Sequence, residues 1–129
     1  MRRVVAACVI AAGAFAACAA PRQTLGTRSS VCFRSLPTAR AAVQQQGRLV
    51  GVRLASRKHV LHAFPHATLP SGRDFCVVAF SDDFRAEKVQ HAASTPPTGK
   101  YAVVVVTMRG TTVIQTFLVD RLPLHVSHR

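Results

Sequence analysis

The side chains that could do chemistry are few: four cysteines, six histidines and five carboxylates in 129 residues. Cys32 and Cys76 lie far apart, with neither the C-x-x-C spacing of a redox pair nor an evident activating neighbour, which argues against a nucleophilic or redox thiol. In an oxidising compartment, two thiols in a domain of this size most simply close one structural disulfide. A loop of that length would then stabilise by roughly 4 kcal/mol through the entropy removed from the unfolded chain. His59, His62 and His66 fall at i, i+3 and i+7. On one continuous helix they would share a face and could ligate zinc, copper or nickel through imidazole nitrogens. Pro65 interrupts that helix, no acidic or cysteine ligand sits at a fixed spacing beside them, and Arg57 and Lys58 repel a cation. Exposed or half-buried histidines are the simpler expectation.

The carboxylates are Asp74, Asp82, Asp83, Glu87 and Asp120. A general acid and base could be drawn from Asp82, Asp83 and Glu87. Helix capping and ion pairs with Arg85 and Lys88 explain the same residues more economically. No nucleophile elbow, phosphate loop or dinucleotide fingerprint is present. The sequence therefore assigns no catalytic residue and calls for no cofactor. A small secreted hydrolase built on an acid or histidine outside any motif is the competing class.

Formal charge is +12, from 17 Lys and Arg against 5 Asp and Glu, so an anionic partner is expected, membrane lipid or a wall polymer, with another envelope protein as the alternative. No motif interleaves aromatic and basic residues to read RNA or DNA, so nucleic acid is not the expected partner. Arginine far outnumbers lysine, and the basic residues are scattered along the chain. A solvated, evenly charged surface would account for them equally well.

Residues 1–18 read as an export signal. Met1-Arg2-Arg3 is a short positive region, Val4 to Ala17 is an apolar and small-residue run, and a polar segment follows. The run is short for a spanning helix, which needs roughly 20 apolar residues. Two cleavage readings stay open. Ala17-Cys18-Ala19 has the small-x-small form cut by a general signal peptidase. Phe15-Ala16-Ala17-Cys18 resembles the lipobox of bacterial lipoproteins, with Phe15 where that family usually carries an aliphatic residue. The resemblance implies that Cys18 becomes the lipidated N-terminus and Cys8 is removed. Acyl chains there would anchor the protein, with residues 19–30 as a tether.

The elements that must position these side chains follow in order over residues 31–123. Val31-Cys32-Phe33 reads as a short edge strand. Ser35 to Gln46 reads as a helix, N-capped by Ser35, with Pro37 in its first turn, Gly47 as its stop, and a thin apolar stripe of Leu36, Ala39 and Val43. Arg48 to Ala55 alternates, with Val50, Val52 and Leu54 on one side and Gly51 and Arg53 on the other, as in a half-buried strand. Arg57 to Ala63 forms a helical turn that Pro65 ends, and Leu69-Pro70-Ser71-Gly72 is a turn. Phe75 to Phe80 is a mostly apolar strand. Ser81-Asp82-Asp83 could cap a short helix running to about Val89.

Tyr101 to Val119 organises the rest. Two β-branched runs flank a turn at Arg109-Gly110, the pattern of a hairpin, and Val103 to Val106 is apolar throughout, as in a strand covered on both faces. Residues 124–129 form a basic tail. The sum is an α+β domain: a small antiparallel sheet of about four strands with one or two helices. Thr98-Gly99-Lys100-Tyr101 running into the valines and the hairpin resembles the late strands of immunoglobulin-like sandwiches, so a β-sandwich is the alternative. The function expected is that of a small exported envelope protein that binds a partner or serves a structural role. It would be membrane-anchored at the cell surface or periplasm if lipidated, and otherwise secreted.

Overall fold

The computed structural model describes residues 29–94, 96–109 and 112–123. The export segment with Cys8 and Cys18, the greater part of the tether, and the basic tail lie outside the described residues. Four strands form one antiparallel sheet in chain order: β1 (Arg48–Ser56), β2 (Asp74–Arg85), β3 (Thr98–Thr107) and β4 (Val113–Val119). Among the described residues two α-helices accompany it, α1 (Leu36–Ala42) and α2 (Arg57–Ala63), with 3-10 turns at Ser29–Ser35 and Ala86–Lys88. The fold is thus α+β. One sheet with helices packed on it replaces the two facing sheets that an immunoglobulin-like sandwich would need.

Register explains why both faces of this sheet are apolar. Residues paired across antiparallel strands share a face, and neighbours along a strand alternate. The rows Leu54–Cys76–Val106–Val113 and Val52–Val78–Val104–Thr116 face one way. The row Gly51–Ala79–Val103–Phe117 faces the other. The first face packs with Cys32 and with Ala39, Ala42 and Val43 at and just beyond α1. The second packs with Val60 of α2 and with Phe64 and Leu69 beyond it, and the Phe64 ring stacks on Phe117 at 4.1 Å. Val103 to Val106 are all fully buried, so the covered central strand read from the sequence is present.

Several local expectations are overturned. Val31-Cys32-Phe33 is a 3-10 turn, not an edge strand, with the Ser35 hydroxyl donating to the Cys32 carbonyl. Ser35 precedes α1 without capping it through its side chain. The helix ends at Ala42, well before Gly47, because Gln90 N–H takes the Ala42 carbonyl and Gln44 and Gln45 turn to φ 54° and 62°. In β1 a register shift between Leu49 and Gly51 turns Val50 outward, so Leu49 joins Val52 and Leu54 against the core. Ser81-Asp82-Asp83 starts no helix. The strand β2 runs on through an irregularity between Ser81 and Phe84, and Phe84 is buried.

Candidate functional site

The disulfide fixes one end of the sheet. Cys32 and Cys76 are joined, with their Cα atoms 5.4 Å apart, and both are fully buried. Cys76 pairs with Leu54 on one side and Val106 on the other, near the end of β1, the start of β2 and the end of β3. At this end α2 begins. The Ser56 hydroxyl accepts the His59 N–H at 3.2 Å and also meets His59 Nδ1 at 3.0 Å, a helix N-cap that occupies the oxygen. Arg57 secures the following loop: its guanidinium donates to the carbonyls of Pro70 and Leu69, and its N–H to that of Arg73.

That loop, the start of β2 and the end of β3 enclose an open cleft of about 610 Å³ lined by Arg73, Asp74, Phe75, Thr107, Met108 and Arg109. Thr107 Oγ1 is buried without a hydrogen-bond partner among the described residues. Among the described residues no ion pair engages Arg73 or Arg109. Met108 supplies apolar surface and the arginines positive charge, with Asp74 as the one carboxylate. Such a surface suits an anionic ligand with an apolar part.

The remaining carboxylates gather at the opposite end. Asp82 and Asp83 lie late in β2, Glu87 in the following 3-10 turn, and Asp120 just past β4. A smaller recess of about 260 Å³ there is lined by Asp83, Arg85, Lys100 and Asp120, among others. Asp82 accepts the Asp83 N–H at 2.7 Å, and Glu87 meets Arg85 at 3.5 Å on the open surface, where such a pair contributes little.

The expected disulfide of Cys32 and Cys76 is present. His59 and His62 lie on α2 and His66 beyond Pro65. Among the described residues no three histidine, cysteine, aspartate or glutamate side chains could hold a metal ion, so His59, His62 and His66 are not gathered into a site. Cys18 lies outside the described residues. In the sequence Arg109 stands out only as part of a turn, and Arg73 and Met108 do not stand out at all. No motif joins them, and only strand register brings them together. No helix among the described residues is long and apolar enough to cross a membrane. No protein-family model, curated protein or solved structure matches the chain.

Proposed function

We propose that this is an exported envelope protein, held at a bacterial membrane by a lipid on Cys18, whose work is binding or structural rather than catalytic. The observation that carries the reading is the buried Cys32–Cys76 bond. A disulfide in the core belongs to a chain that folds in an oxidising compartment, in keeping with the export layout of residues 1–18. Lipidation at Cys18 follows from the likeness of Phe15-Ala16-Ala17-Cys18 to a lipobox. The positive charge supports an anionic envelope component as the partner.

The test is to express the full chain with its own signal in a bacterial host, separate membrane from soluble fractions, and take the non-reduced intact mass. The expected product is membrane-bound, begins at Cys18, carries acyl chains, and is two hydrogens light for the disulfide. Cys18→Ala should move it to the soluble fraction. An unlipidated product starting near Ala20 would leave export standing and remove the tether. An uncleaved, reduced chain in the cytoplasm would remove both.

A further inference from the structure

Three large apolar side chains stand exposed among the described residues: Phe33 at 52%, Met108 at 46% and Val50 at 36%. Two of them belong to the disulfide end. Phe33 follows Cys32, Cys32 is bonded to Cys76, Cys76 pairs with Val106, and Met108 lies two residues past Val106. By standard chain spacings that path bounds their Cα separation at about 20 Å. Arg34 stands exposed beside Phe33, and Arg73 and Arg109 line the same cleft as Met108. Asp74 is the one carboxylate at this end. The other four of the chain's five lie at the far end of the sheet.

The chain also enters the fold here. Ser29 is three residues before Cys32, so the disulfide holds the entry point against the start of β2. Only ten residues, Ala19 to Arg28, separate Cys18 from Ser29, and they contain Arg22 and Arg28 and no acid. Fully extended, ten residues reach roughly 35 Å. A lipid on Cys18 would therefore hold the disulfide end near the bilayer.

We propose that the disulfide end of the sheet docks on an anionic lipid surface, with Phe33 and Met108 entering the interface and Arg34, Arg73 and Arg109 meeting the headgroups. This deepens the tether reading and rests on it for the orientation. Exposed apolar side chains beside arginines form the amphipathic pattern of an interfacial contact, in which the apolar groups sink about 5–10 Å and the cations stay at headgroup level. A wall polymer would satisfy the arginines but has no hydrocarbon to receive Phe33 and Met108, so lipid is the favoured partner.

The chain contains no tryptophan, so a single introduced indole reports its own position. Phe33→Trp, Met108→Trp and Val50→Trp are to be made in the full chain, purified from bacterial membranes with its native N-terminus. Each is reconstituted into vesicles of phosphatidylglycerol and phosphatidylcholine carrying brominated acyl chains. Docking predicts blue-shifted, bromine-quenched emission for the first two variants and water-exposed emission for Val50→Trp. The intact mass of the same preparation reads the acyl chains independently. A lipidated protein whose indoles at 33 and 108 remain as open to aqueous iodide as that at 50 would overturn the docking while keeping the tether. A chain without acyl chains whose first two variants are quenched on adding vesicles would support docking without the tether. Were it not quenched, the docking would fall as well. Emission shifts with soluble poly(glycerol phosphate) but not with vesicles would overturn the proposal in favour of a wall polymer.

Discussion

At Gly47 the backbone stands at φ +89°, and a Cβ would lie 2.8 Å from the Phe84 ring and 3.0 Å from the Ser81 carbonyl oxygen. Left-handed backbone is costly for any residue with a Cβ, and overpacking adds to it. Gly47→Ala should therefore lose about 2–4 kcal/mol, read as a lower urea midpoint at unchanged slope. A loss under about 0.5 kcal/mol, the range of ordinary surface substitutions, would show that Phe84 gives way freely. Thr116 presents the opposite case. It is fully buried on the α1 face, across from Val104, and its hydroxyl has no partner among the described residues. Its backbone is well paired, accepting from Ala93 and donating to His91, so the side chain alone is unsatisfied. Removing a buried hydroxyl that bonds to nothing should help, so Thr116→Val is expected to stabilise by about 1 kcal/mol. In a domain near 100 residues that is a rise in Tm of about 4–8 °C. A fall in Tm would mean that the hydroxyl is bonded after all, as to an internal water. The sequence marks neither residue. Gly47 reads as a helix stop although α1 ends well before it. Thr116 reads as one more β-branched strand residue.

Among the elements, the β3–β4 hairpin, the Arg57–Ala63 helix and the β2 core were legible because each is a local pattern: β-branched and apolar runs for the strands, and a proline stop after the helical turn. The parts that were not legible depend on distant chain. Val31-Cys32-Phe33 has strand-like residues, but Cys32 is held to β2 rather than paired in a ladder. Ser81-Asp82-Asp83 has the residues of a helix cap, yet Phe84 returns to the core cluster that also holds Ala102 and Leu118. Its partner Gly99 leaves room where a Cβ would press within 3 Å of the Val119 and Leu118 backbone. The disulfide is the element-scale constraint with the largest expected energy. Its 44-residue separation corresponds to about 4 kcal/mol in the chain-entropy account. Reduction, or Cys32→Ala with Cys76→Ala, should lower the unfolding free energy by about that amount. It should also free the N-terminal 3-10 turn and expose it to proteolysis before the sheet unfolds. Equal urea midpoints with and without reductant would show that packing of Val31 and Leu36 holds the turn without the bond.

For the whole molecule, the charge that looks scattered along the sequence is distributed unevenly in space. Arg34, Arg57, Lys58, Arg73 and Arg109 are far apart in number, yet they belong to the end where β1 and β3 finish and β2 starts. Asp82, Asp83, Glu87 and Asp120 belong to the other, where they offset all but one of the charges of Arg48, Arg85, Lys88, Lys100 and Arg121. With Arg2 and Arg3 removed with an export signal, the net charge is +10 (15 basic residues against 5 acidic), and it acts as a directed field rather than a uniform one. The composition predicts the attraction to anions, and only the antiparallel register gives it a direction. Two charge-matched variants separate these ideas in a Cys18→Ala background, where no lipid masks the contact. Arg34→Gln, Arg73→Gln and Arg109→Gln together should lower partition onto phosphatidylglycerol vesicles about a hundredfold, at roughly 1 kcal/mol for each near-surface cation. Arg85→Gln, Lys100→Gln and Arg121→Gln remove the same charge from the other end and should lower it by only a few-fold. The gap between the two variants should shrink as salt shortens the screening length. Equal losses would mean that net charge acts without orientation, leaving Phe33 and Met108 with no electrostatic reason to face the membrane.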